Sequence, residues 1–279
     1  MEFITTSSSD HSQDIIMGKP ATEQWTVGAA SIIGSRETQQ DSFLFDYLPV
    51  SAQQDAGSAK ALVAVVADGV GGAVSGDIAS RLAVEHFVTT SDELYRAGES
   101  SARLLSAALQ DSNRAISEAI TKDTALGGMA TTLVGVLIDQ RGMVWASVGD
   151  SHLYLLRQQK IEKLNKDHSL GALIDDQYAK GEISKEEAEN SLYRNVILSC
   201  LSGEKIELID INAEPFTLQA HDRILVASDG LDTLSSDEIL SICLATPGSQ
   251  DCADTLLQQV QNQNAPHQDN ATVLVIDCT

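Results

Sequence analysis

Four apolar segments of this chain meet an aspartate at one end. VVADGVGG sets Asp68 after a run with the pattern of a buried strand, WASVGDS sets Asp150, ILVASDG sets Asp229, and HQDNATVLV sets Asp269 just ahead of the last apolar run. A carboxylate at the end of an apolar strand is costly unless it caps a turn, pairs with a base or binds a cation. Any one of them alone reads as a turn former, because Asp-Gly is a common turn signal. Four of them, in a chain with 18 Lys and Arg against 40 Asp and Glu, point instead to a hard divalent cation. Oxygen donors without neighbouring His or Cys suit Mg2+ or Mn2+. The glycines after Asp68 would let backbone carbonyls and waters approach such an ion.

The charge balance narrows the partners. A formal net charge of −22 on 279 residues repels phosphate backbones and anionic lipid, which argues against nucleic-acid or membrane-surface binding. Hydrophobic residues at 43% and charged residues at 21% are globular values, so wholesale disorder is excluded. No apolar run reaches the roughly 20 residues of a membrane-spanning helix. The opening MEFITTSSSDHSQD lacks the basic and apolar regions of a secretory signal. Cys200, Cys243, Cys252 and Cys278 are scattered without CxxC spacing and read as buried thiols. These features predict a cytoplasmic protein.

Around the aspartates the pattern predicts elements. Residues 25–34 read as a strand, followed by a loop carrying Arg36 and Asp41, with 42–49 as its hairpin partner. Residues 51–60 read as a surface loop, and 61–72 as a buried strand entering a tight turn. From Gly76, residues Ile78, Ala79, Leu82, Ala83, His86 and Phe87 recur at helical spacing, and a second helix covers 100–120. Residues 131–139, 143–150 and 152–160 predict an antiparallel meander. Residues 167–203 read as a mostly helical excursion containing the charged segment SKEEAE. A strand at 223–230 precedes a helix capped by Ser235 or Ser236, with Asp237 and Glu238 in its first turn. A helix over 252–261 and a strand over 271–278 close the chain. Strand pairs interleaved with helix pairs, without βαβ alternation, predict one α+β layered domain over 23–279, after a flexible polar arm at 1–22.

Several ordered blocks carry a family resemblance: GSRETQQD, ADGVGGAVSGDIAS, GGMATTLVGVLI, VGDSHLYLLR, DHSL, SDGLDTL and DNATVLVI. Residues 25–279 resemble a metal-dependent Ser/Thr phosphatase of the PPM (PP2C) family, in the bacterial style. The resemblance implies a four-layer sandwich of two antiparallel sheets flanked by helix pairs. It implies that Asp68 bridges two metals, with the Gly69 carbonyl on one, and that Asp229 and Asp269 bind the first metal. Asp41 would hold water beside the metals, Asp150 would share a third ion with Asp229, and Arg36 would clamp the phosphate through its planar fork. Two or three Mn2+ or Mg2+ ions would activate a water for in-line attack on phosphorus. The partners implied are phosphorylated proteins and a Ser/Thr kinase or its targets, in signalling or secretion control, with the enzyme a monomer. The alternatives are a regulatory module that binds a phosphoprotein or kinase without turnover, and a phosphoserine phosphatase of an anti-sigma pathway.

The sequence departs from the family pattern at five positions. Gln39 and Gln40 stand where Asn followed by Glu or Gln is frequent, so Gln40 lends no charge to a metal. Val70 leaves no histidine acid after Asp-Gly, His152 replaces a usual Arg, and Ala130 replaces a frequent Gly. None of these removes a direct metal carboxylate. His168 reads first as a turn organiser, His86 as packed on a helix, and Trp25 and Trp145 as core. The resemblance makes residues 167–200 a flap beside the active site.

Overall fold

The structure is a computed structural model that describes residues 24–49, 61–70, 75–194 and 196–279. The polar arm at 1–22 and the loop at 51–60 lie outside the described residues, as do residues 71–74 of the glycine-bearing motif.

Two antiparallel sheets form the centre. One is ordered β1-β11-β10-β7-β8, from β1 (Trp25–Ile32), β7 (His152–Arg157), β8 (Lys160–Lys163), β10 (Arg223–Ala227) and β11 (Ala271–Cys278). The other is ordered β2-β3-β5-β6-β9, from β2 (Asp41–Leu48), β3 (Ala61–Val70), β5 (Leu133–Asp139), β6 (Gly142–Val148) and β9 (Asp210–Phe216), with the short β4 (Ala130–Thr131) paired to β3. The strand period of two explains why whole runs are apolar. On β3, Leu62, Ala64 and Val66 face the opposite sheet, where they meet Ile224 and Val226 of β10 and Leu274 and Ile276 of β11. The alternate residues Ala61, Val63, Val65 and Ala67 pack against α1 (Gly76–Arg96) and α2 (Ser101–Lys122). Beyond the other sheet, Leu225 and Val273 pack on α5 (Ser236–Ala245) and α6 (Ser249–Asn262). These are the expected four layers. At about 1.5–3 kcal/mol for each fully buried Val, Leu or Ile, strands covered on both faces are the main source of stability.

Three expectations about connectivity are corrected. β1 and β2 are not a hairpin: β1 pairs with β11 and β2 with β3, so the loop between them carries the chain from one sheet to the other. The meander also stops after two strands. β5 pairs with β6, but β7 pairs with β10 and β8, because the turn at Gly149 (φ +99°) sends the chain across the sandwich. Among its described residues the excursion at 167–203 is mostly irregular, with α3 (Leu170–Ala179) and α4 (Lys185–Glu189) as its helices. Its returning backbone hydrogen-bonds to its own entry instead of coiling: the amide of Leu170 donates to Val196, Gly171 to Arg194 and Leu198 to His168.

Other elements match closely. Ser235 is the cap of α5, in a full capping box with Glu238, and the closing strand runs Ala271–Cys278. Trp25 and Trp145 are core residues. Among the described residues no helix is long and apolar enough to cross a membrane.

Candidate active site

Strand register gathers the aspartates at one end of the sandwich. Asp41, first residue of β2, lies directly across from Asp68 near the end of β3. In the facing sheet Ile32 at the end of β1 pairs with Ala271, and Ala227 pairs with both Val273 and His152. The turns that carry Arg36, Asp150, Asp229 and Asp269 therefore emerge at the same edge. Asp229 opens a 3-10 turn, Asp229–Thr233, directly after β10.

Each backbone is held by polar residues inside the quoted motifs. The Asp68 amide donates to Thr132 Oγ1 (3.0 Å), and its carbonyl accepts from the Thr132 amide (2.8 Å) and Thr131 Oγ1 (2.8 Å). Gly69 is needed for close approach: a Cβ there would lie 2.3 Å from the Gly76 carbonyl and 2.8 Å from that of Gln40. Asn270 fastens the two loops together, accepting from the Gln40 amide (2.8 Å) and donating to the carbonyls of Ile33 (2.8 Å) and Thr38 (3.1 Å). Gln39 accepts from the Asp41 amide at 2.9 Å and donates to Ser31 and Ile32. Of the two glutamines that depart from the family pattern, Gln39 thus has a structural use for its side chain, while Gln40 is bonded through its backbone. His168 is the turn organiser expected: its amide donates to the Gly149 carbonyl (3.0 Å), and its Nδ1 accepts from the Gly149 amide (3.3 Å). His86 instead pairs with Asp111 across α1 and α2, at 2.9 Å.

The carboxylates strain one another. Ser228 donates to Asp41 Oδ2 at 2.7 Å, while Oδ1 is buried without a partner. Burial, with added repulsion from Asp229 and Asp269, pushes the Asp41 carboxyl up to about 7. Burial also holds Asp68 well above the usual carboxylate range, and the charges of Asp41 and Asp229 add to it. Asp68 and Asp229 are within hydrogen-bonding reach, so when one is protonated the other is relieved. Asp150, 8% exposed, is pushed up to about 6 by burial, then by Asp229 and Asp167. Its Oδ1 and that of Asp229 are also buried and partnerless.

Arg36 and Asp269 sit at the solvent side. Arg36 donates to Asp269 Oδ2 at 2.5 Å, and Asp269 Oδ1 accepts from the Asn270 amide at 2.8 Å. The family resemblance implies separate duties for these two residues, and the structure brings them into contact. Among the described residues no three side chains close round one point as a finished ligand cage. Asp269 is drawn to Arg36 and Asp68 to Asp229. The donor set nonetheless suits a hard cation. Four buried carboxylate oxygens lack partners, on Asp41, Asp150, Asp167 and Asp229, and a divalent charge would relieve the repulsion that raises the Asp41, Asp150 and Asp229 carboxyls. His152, buried behind Asp150, has Nε2 at 2.9 Å from Asp232 Oδ1, but neither ring nitrogen makes an aligned hydrogen bond.

The polar supports Ser228, Thr132 and Asn270 had no predicted role. They lay in the quoted motifs, but the strands they join are distant in sequence.

Comparison with known proteins agrees with this fold. A family model described as Protein phosphatase 2C matches residues 30–269. The serine/threonine phosphatase stp of Listeria monocytogenes is 33% identical over 218 residues, covering 77% of this chain and 84% of that protein. The serine/threonine protein phosphatase PstP of Mycobacterium tuberculosis is 31% identical over 224 residues, 80% of this chain and 42% of that one. The crystal structure of M. tuberculosis PstP/Ppp superposes with a TM-score of 0.74 at 29% identity, covering 91% of this chain and 98% of that one. A structure of the PstP catalytic domain in complex with two manganese ions gives 0.71 at 29% identity, covering 91% and 97%.

Proposed function

The chain belongs to the protein phosphatase 2C family of metal-dependent protein serine/threonine phosphatases, and from that premise we propose how its residues divide the work. Asp68, Asp229 and Asp269, with the Gly69 carbonyl, would hold two Mn2+ or Mg2+ ions, and Asp150 with Asp229 would hold a third. The partnerless buried oxygens of Asp41, Asp150 and Asp229 are the observation that carries this reading. The two manganese ions of the solved relative support it. When bound, the cations supply Lewis-acid charge and acidify the attacking water.

The chain's own residues do the rest. Arg36, half exposed at the mouth of the site, exchanges its contact with Asp269 for the phosphate, whose oxygens its planar fork fits in pairs. Its charge offsets what accumulates on the transferring phosphoryl oxygens. Asp41 keeps Oδ2 on the Ser228 hydroxyl and offers Oδ1 to a proton of the attacking water, orienting it. Thr131 and Thr132 fix the backbone of Asp68, so that its carboxylate stays aimed while the charge around it changes. Val70 offers no acid at the leaving-group side, so the alkoxide takes its proton from solvent or from the phosphate itself.

The substrates are phosphoserine and phosphothreonine proteins, and the physiological counterpart is a bacterial Ser/Thr kinase acting on them. The enzyme works in the cytoplasm as a monomer. Its test is turnover of a phosphothreonine peptide with Mn2+, with chelator, and in Asp229→Asn. Activity is expected only in the first arm. Equal turnover in chelator would remove the cations from the account.

A further inference from the structure

Away from the carboxylates, two thiols meet under the outer helix layer. Cys243 near the end of α5 and Cys252 in the first turns of α6 lie with their sulfurs 3.5 Å apart. The other two cysteines, Cys200 and Cys278, are free thiols elsewhere in the chain. We infer that Cys243 and Cys252 are an oxidisable dithiol, a modification site that reacts with hydrogen peroxide and closes as a disulfide joining α5 to α6.

The geometry prepares the pair. The helices are linked only through Thr246, Pro247 and Gly248, and the Arg223 guanidinium ties that link down. It donates to the carbonyls of Cys243 (2.6 Å), Thr246 (2.8 Å) and Pro247 (3.1 Å), and its other edge grips Asp277. The sulfurs need to approach by only about 1.5 Å to reach bonding distance. Arg223 also supplies the charge that a thiolate needs in an apolar layer. The hydrogen bond with Cys243, then Arg223, lowers the Cys252 thiol, and the same pairing pushes Cys243 up. Cys252 is fully buried, whereas Cys243 is 6% exposed, so a small oxidant reaches the pair past Cys243.

The chemistry balances. The Cys252 thiolate attacks one peroxide oxygen, the O–O bond breaks, and hydroxide leaves, giving a sulfenic acid. Cys243 then attacks that sulfur and expels the oxygen as water, its thiol proton going to that leaving oxygen, while the hydroxide released first takes up the proton that Cys252 gave up on becoming a thiolate. Two thiols and one peroxide become one disulfide and two waters. α5 follows the turn carrying Asp229, and α6 leads into the turn carrying Asp269, so the bond staples the helices beside both.

The test treats the folded full chain with increasing hydrogen peroxide, alkylates the remaining thiols, and cleaves before Asp251, which leaves the two cysteines on separate peptides. The linked Cys243–Cys252 pair should appear first, two hydrogens lighter than its parts, and dithiothreitol should reverse it. Cys200 and Cys278 should stay alkylatable meanwhile. In Cys243→Ser, dimedone should label Cys252 instead. The inference is overturned if the folded protein yields no linked pair, or if Cys200 or Cys278 is oxidised ahead of it. That wild-type mapping decides the matter even if the variant does not fold.

Discussion

Asp41 illustrates what burying carboxylates side by side does to a single residue. With one oxygen on Ser228 and the other partnerless, it keeps a proton that an exposed aspartate loses far lower on the pH scale. On the proposed reading Asp229 binds a cation directly, and this makes Asp229→Asn severe. Losing even an indirect supporting contact of a metal site commonly costs about 10–100-fold, so removing a direct ligand should lower turnover by more than about a hundredfold. Steady-state kinetics with saturating Mn2+ will read this. Arg36→Ala should raise KM about tenfold with a smaller change in kcat, if its contact is equal in ground and transition states. A collapse of kcat at constant KM would move Arg36 into transition-state stabilisation. Gly69→Ala should cost about 1–3 kcal/mol by overpacking against the Gly76 carbonyl, read as a lowered denaturant midpoint. At this scale the aspartates were legible because an acid after an apolar run is unusual. Ser228 and Asn270 were not, because their bonds reach strands far away in sequence.

Elements were legible where local chemistry decides them. The capping box of Ser235 and Glu238 set the start of α5 to within a residue, and Ser235→Ala should cost about 1 kcal/mol in equilibrium unfolding. Pairing was less legible, since sequence proximity of two strands does not name their partners. A chain that leaves β6 through a short turn looks like a hairpin whether it returns or crosses to the other sheet. The β7–β8 turn was hidden too: Gln158 and Gln159 both take positive φ without the Asn-Gly signal of such turns, so the pattern carries the first strand through the turn to Lys160 and the second goes unread. β9 went unpredicted because Pro215 and its acidic residues argue against a strand, and it survives as an edge, beside an irregular register at Met143 and Trp145.

The whole molecule couples its stability to the site. Asp41 and Asp150 have folded pKa values of about 7 and about 6, above the ordinary 3.8. A raised folded value means that the stability is present below the unfolded pKa and lost as pH rises through the folded one. In chelator, these two carboxyls should therefore lower the thermal midpoint from about pH 4 to about pH 7, and the stabilisation by Mn2+ should grow over that window. A Mn2+ effect that shrinks towards neutral pH would contradict this. The central claim is that acidic residues from separate turns enclose divalent ions between the sheets. Anomalous diffraction from a crystal soaked in manganese tests it most directly. At least two peaks are expected, one of them touching both Asp68 and Asp229. A crystal of active enzyme with no peak beside Asp68 would contradict the account.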